Sequence, residues 1–248
     1  MSLVKNAIYL AWSDTKARYK TSVIGPFWPT LSNVLGVLCL GLVWGHLLKQ
    51  DMNTFIPQLT AGLIVWQLIA GVLTDGPSTF TRHGSMIRNV AMPSWFFAVR
   101  ALSKHLINLL HNAVIIVGVM WYYQVPLTVN SWLLVPGLLL VTLNLYWLLH
   151  GLGLAGARFR DIELLINSLV PLLFFISPVI YRADSLPAAL NVVWLNPFSY
   201  MIEAIRTPLL GGAPPVLTWT VLVGMLLVGS SLTWLYQRKQ GKNLAFWV

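Results

Sequence analysis

Charge is scarce in this sequence. Only 9% of its 248 residues are Asp, Glu, Lys or Arg, and just 7 of those are acidic, whereas a soluble domain carries about 25% charged residues. That shortage excludes a water-soluble domain of useful size. The acids expected on the inner side, Asp14, Asp75, Asp161 and Glu163, are dispersed along the chain, which argues against a membrane glycosyltransferase or polymerase, since such an enzyme requires an acid/base cluster. Cysteine occurs once, as Cys39, so no intrachain disulfide can form and no cysteine pair can hold a metal. The five histidines, His46, His83, His105, His111 and His150, lack ligand spacing, and no Gly-x-x-x-x-Gly-Lys loop is present to cradle a nucleotide. No cleavable signal peptide is expected, because the basic stretch Lys5–Lys20 is not followed by a short apolar run with a small-residue cleavage site.

Long apolar runs are what the chain does have. Hydrophobic residues make up 57% of it and 12 residues are tryptophan. Runs of helical length point to an α-helical membrane bundle, because a membrane barrel would show short alternating segments. The segment from Arg18 to Trp28 joins a basic stretch to 22 uncharged residues, Phe27 to Leu48. As a helix that run is about 33 Å long, enough to cross a hydrocarbon core of about 30 Å.

Six spans are expected, over 27–48, 55–79, 105–123, 132–157, 163–181 and 215–236, forming a single transmembrane domain over 1–248. With both termini cytoplasmic, thirteen of the 16 Lys and Arg residues fall on the inner side, leaving Lys49, Arg182 and Arg206 outside. The formal charge of +9 is then a consequence of topology, and no nucleic-acid partner is implied.

The segments between spans add detail. Within residues 1–22, Val4, Ala7, Ile8, Ala11 and Trp12 recur at helical spacing, the pattern of an amphipathic helix lying in the interface. Gly41 and Gly45 form a small-xxx-small pair that suits either packing within the chain or a contact with a second copy. Asp75 precedes Gly76-Pro77, a context that favours a kink or cap over a buried functional acid. Lys104, Asn108, His111 and Asn112 share a helical face that suits interhelical hydrogen bonding or the lining of a path. Pro171 and Pro178 are expected to break the fifth span.

Two inner segments offer docking surfaces. Residues 82–93 read as a short helix and turn in which Met86, Ile87 and Val90 form an apolar ridge flanked by Arg82 and Arg88. The turn with Arg158 and Arg160 is the second. On the outer side, the loop from Tyr181 to Pro214 is too apolar for a solvated loop and carries two short helix signatures within 184–210, the first being Asp184/Ser185 before Leu186-Pro187-Ala188-Ala189-Leu190. In the second, Asn196 is the N-cap and Pro197 the first helical residue, with Glu203 and Arg206 spaced to pair. Both are too short to cross and are expected to be re-entrant. The chain thus shows a path and docking surfaces without a motor, so energy for uphill movement must enter through a partner.

Three motifs carry a family resemblance: Arg18-Tyr19-Lys20-x-Ser22-x-Ile24-Gly25-Pro26-x-Trp28, Ile87-Arg88-x-x-x-Met92-Pro93, and Asn196-Pro197-Phe198 with Glu203-x-x-Arg206-x-Pro208-Leu209-Leu210-Gly211. Together they resemble the permease subunits of bacterial ABC transporters that export O-antigen, capsule or teichoic acid polymers. The resemblance implies a non-enzymatic subunit of the bacterial cytoplasmic membrane. Two copies would work with two copies of a separate ATPase that holds ATP and Mg2+, and no cofactor is expected on this chain. The implied cargo is a polyprenyl-diphosphate-linked polysaccharide, O-antigen first, moved through a channel at the dimer interface, and residues 82–93 become a coupling helix. The alternative within the same architecture is an exporter of a smaller lipid or drug. A glycan channel should be lined by rings that stack on sugars, for which Trp28, Trp44, Trp66, Phe174, Phe175 and Tyr181 are candidates.

Overall fold

The computed structural model describes residues 3–18, 20, 25–47, 49–90, 92–181 and 193–248. Every regular element among them is helical: α1 (Leu3–Arg18), α2 (Trp28–Leu47), α3 (Met52–Asp75), α4 (Gly84–Asn89), α5 (Ser94–Tyr122), α6 (Leu134–Arg158), α7 (Asp161–Ile176), α8 (Pro197–Leu209), α9 (Val216–Gln240) and α10 (Leu244–Trp247).

Local chemistry sets many of the boundaries. Asp51 caps α3 by accepting the Asn53 N–H at 3.2 Å. Extended Pro93 and Pro215 immediately precede α5 and α9. Acidic Asp161 and Glu163 stand in the first turn of α7, where the helix dipole favours them. Asn196 caps α8 by accepting from the Phe198 N–H at 3.0 Å, with Pro197 as the first helical residue, as its sequence predicts.

Among the described residues, five helices are long and apolar enough to cross a membrane: α2, α3, α5, α6 and α9. The fifth expected span differs. Its helix, α7, has 16 residues, about 24 Å at 1.5 Å per residue. It runs unbroken through Pro171 and ends at Ile176, with Pro178 beyond the end rather than inside the helix. The helix that holds the third expected span extends further back, to Ser94, giving α5 29 residues. The first of the two expected re-entrant helices, over 184–190, lies outside the described residues.

α3 is the hub of the bundle. Of its apolar stretch 72% is buried, against 28% or less in each of the other four. It packs against α2, α5, α6, α7 and α8, and its Val65, Trp66 and Ile69 join Leu145 and Leu149 of α6, Met201 and Ile202 of α8 and Leu222 of α9 in the main core. Such close packing requires glycine where backbones meet. A Cβ at Gly156 would collide with the Pro77 carbonyl oxygen, and one at Gly137 with that of Ala204, so α6 reaches both the end of α3 and α8 through these two residues. The Gly41/Gly45 pair is also settled. Both face α3 of the same chain, against Ile56 and against Met52 and Phe55.

A second core joins the two ends of the chain. Ala7 of α1 and Leu244 of α10 share a cluster with Phe80, Phe96, Phe97, Leu154 and Ala157, so both terminal helices lie at one end of the bundle. α1 packs along α5 and is tied there by Arg100, whose guanidinium donates to both oxygens of Asp14 at 2.8 Å.

Candidate conduit and coupling surfaces

The helices α2, α3 and α7 carry polar groups and exposed rings in a setting otherwise made for lipid. Asn33 of α2 donates through Nδ2 to Gln67 Oε1 of α3 at 2.6 Å, and Gln67 Nε2 donates back to Asn33 Oδ1. Gln67 is exposed. Asn167 and Ser168 of α7 are exposed as well, the Ser168 hydroxyl returning to the Leu164 carbonyl at 2.9 Å. α7 has no buried residue at all. Amides and hydroxyls at mid-span are costly against hydrocarbon and normally face protein or water. The α2–α3–α7 face is therefore poorly suited to lipid and well suited to a second protein surface or a polar path.

The six candidate ring residues divide by exposure. Trp28 and Phe175 are exposed, at 55% and 66%. Trp44, Phe174 and Tyr181 are half-buried, and the Tyr181 hydroxyl donates to the Ile176 carbonyl at 3.0 Å. Trp66 is 6% exposed and lies in the main core, its ring tilted against Phe174 with centroids 5.8 Å apart. Trp66 thus supports Phe174 from behind, because its helix faces inward on that side. Sequence reasoning singled out the rings but missed Asn33. The available signal was an isolated amide inside an apolar run, matched by Gln67 on the next one.

At the end of the bundle where the termini meet, a single carboxylate gathers three basic side chains. Asp75 accepts from Lys104 Nζ at 2.6 Å and from Arg82 Nη1 at 2.9 Å, with His105 Nε2 at 3.2 Å. Asp75 is thus more than a cap: it is the ionic centre that binds the end of α3 to α5 and to the turn leading into α4. Lys104 of the expected polar stripe is used there. His111 lies between the rings of Trp12 and Phe27, at 6.4 and 6.1 Å, and Asn112 is buried. His83, next to this centre, donates from Nδ1 to the Thr79 carbonyl at 2.9 Å, and burial pushes its pKa below the ordinary histidine value.

α4 sits on this foundation, and its ridge points differently from the sequence expectation. Met86 and Ile87 are half-buried against the second core, in company with Trp247 and Val248. Arg88 donates to the Val248 carbonyl at 2.9 Å, and Arg82 is engaged with Asp75. Of the expected coupling residues in this segment, Arg82, Arg88 and Val90 are exposed. In the second turn Arg158 lies over the rings of Phe159 and Trp247, at 5.0 and 5.6 Å, and both Arg158 and Arg160 are exposed.

α8 packs between α3, α6 and α9 with Tyr200, Met201, Ile202, Ala204 and Ile205 buried. Asn196 donates to Ser177 Oγ at 2.8 Å, Arg206 donates to the Pro178 carbonyl, and Glu203 accepts from the Thr218 hydroxyl at 2.8 Å. These bonds fasten α8 to the end of α7 and the start of α9. Among the described residues no three His, Cys, Asp or Glu side chains converge on a possible metal position.

Comparison with known proteins adds a family and named relatives. Residues 6–210 match the family model described as ABC-2 type transporter. An O-antigen export system permease protein RfbA of Klebsiella pneumoniae is 24% identical over 230 residues, covering 89% of this chain and 85% of the relative. A second protein of that name from K. pneumoniae is 26% identical over 211 residues, covering 80% and 78%. One from Myxococcus xanthus is 26% identical over 237 residues, covering 91% and 90%.

Proposed function

The chain belongs to the ABC-2 type transporter family, and from that membership we propose that it is the permease of an exporter that moves a polyprenyl-diphosphate-linked polysaccharide, O-antigen, across the bacterial inner membrane. The relatives of that name, matched over most of their length, support the choice of cargo. The single observation that carries the mechanism is the exposed Asn33–Gln67 amide pair between α2 and α3. Two copies of the chain meet through their α2–α3–α7 faces, turning polar groups and the Trp28 and Phe175 rings onto a shared path where rings stack on sugars.

A separate ATPase supplies the energy. It grips the cytoplasmic end through the exposed Arg88, Asn89 and Val90 of the α4 segment and through the Arg158–Arg160 turn, and both termini lie on that side, in accord with the thirteen inner cations. A push on α4 travels through Arg82 to Asp75 and from there into α3 and α5. α1 lies in the interface as an amphipathic helix, and α8 is re-entrant at the outer side.

The test is complementation. In a strain from which this gene is deleted, surface polysaccharide is lost and lipid-linked polymer accumulates inside; the wild-type chain restores export, and a variant with leucine at both Asn33 and Gln67 does not. Unchanged surface polymer in the deletion strain, with accumulation of a small lipid instead, would assign a different cargo.

A further inference from the structure

At the end of the bundle opposite the terminal helices, a cavity of about 610 Å3 opens between the start of α3, the connection after α5, and α8. It lies apart from the α2–α3–α7 face. Its polar and aromatic lining includes Asn53, Gln58, Tyr123, Gln124, Trp194 and Thr207. Gln58 is 6% exposed, and its Nε2 has no hydrogen-bond partner. A buried amide N–H left without a partner keeps its desolvation cost unrecovered, so a ligand oxygen in the cavity recovers what the fold has left open.

The rest of the lining narrows the ligand. Glu203 and Arg206 both border the cavity, one of each sign, so a strongly anionic group would meet a carboxylate and a cationic one a guanidinium. An acyl chain would leave the Gln58 amide without a partner. A neutral, hydroxyl-rich molecule with one apolar face suits both the mixed amides and the two rings, Tyr123 and Trp194. The Trp194 ring is held in place by Tyr200, centroids 5.2 Å apart.

From this combination we infer that the cavity is a saccharide subsite at the exit side of the permease, holding one segment of the emerging glycan after it leaves the shared path. The inference rests on the export reading for the source of the sugar. Gln58 donates to a sugar hydroxyl or ring oxygen, Asn53 and Thr207 border the same ligand, and Tyr123 and Trp194 face the apolar side of a ring. Held there, a segment is hindered from sliding back between power strokes.

Equilibrium binding to the purified full-length chain in lipid nanodiscs tests this directly. The probe is the lipid-free oligosaccharide released by mild acid from the producing cell's own surface polymer, with pyrophosphate and farnesyl diphosphate as competitors. The expected result is saturable binding, weakened about tenfold in Gln58→Leu by loss of one hydrogen bond to the ligand and similarly in Tyr123→Ala, with no competition from either diphosphate. Tyr123 is only half-buried, so its truncation tests the site even if Gln58→Leu fails to fold. No saturable binding, binding equal to wild type in Tyr123→Ala, or displacement by pyrophosphate would overturn the subsite. Polymer export measured in the same cells separates the two ideas: export without oligosaccharide binding removes the subsite alone, whereas binding without export removes the export reading and leaves the subsite standing.

Discussion

Asp75, in the last turn of α3, and Lys104, ten residues into α5, meet at 2.6 Å, and the other carboxylate oxygen of Asp75 holds Arg82 at 2.9 Å. Both Asp75 and Lys104 side chains are 20% exposed, so the pair is partly shielded from water and each member depends on the other. Asp75→Asn is expected to lower stability by on the order of 2 kcal/mol, because it strands the Lys104 ammonium. The check is thermal unfolding in detergent of Asp75→Asn, Lys104→Gln and the double variant. A double-mutant loss smaller than the sum of the singles is the expected coupling, and strict additivity would show that the pair is a bystander.

The Asn33–Gln67 pair gives the second prediction. A single leucine at either position leaves one amide unpaired and is expected to cost about 1 kcal/mol, the usual scale of hydrogen bonds between membrane helices. The double leucine variant restores folding stability while export stays low. Full export by the double variant would mean that this face does nothing but meet lipid.

α4 separates folding from coupling. Met86→Asp puts a charge against the second core and is expected to lower the melting temperature, a cost of about 1–3 kcal/mol. Val90 is 46% exposed, so Val90→Asp should fold normally but fail to co-purify with the ATPase subunit or stimulate its hydrolysis. If Val90→Asp binds and stimulates as wild type, α4 is not a gripping element and the Arg158–Arg160 turn is the next surface to alter.

Gly41→Leu and Gly45→Leu are expected to destabilise the isolated chain by about 1–3 kcal/mol through overpacking onto α3. Crosslinking between copies should not change in whatever folded fraction remains. A loss of crosslinking with unchanged melting would move these glycines to the interface between copies.

Helix content was legible because apolar runs report it directly, and α2, α6 and α9 begin and end within a few residues of the expected spans. The start of α5 was not legible. Arg100 and Lys104 interrupt its hydropathy, and the groups that make them tolerable, Asp14 and Asp75, lie 86 and 29 residues away in sequence. The same distance problem hid the Asn33–Gln67 pair, whose partners are 34 residues apart. Met86 and Ile87 pack against the second core, whose buried members Ala7, Phe80, Phe96, Phe97, Leu154, Ala157 and Leu244 are gathered from segments that no local pattern ties to α4.

Export along the α2–α3–α7 face is tested most directly by photocrosslinking in the assembled, ATP-driven transporter. A benzophenone side chain is introduced singly at Asn167, Ser168 or Phe175 of α7, and, as controls, at Leu139 of α6 and Val228 of α9, both more than 60% exposed on other helices. A path along α7 predicts glycan adducts at the α7 positions that require ATP, with only phospholipid adducts at the controls. Glycan adducts at Leu139 or Val228, with none at the three α7 positions while export proceeds, would contradict it.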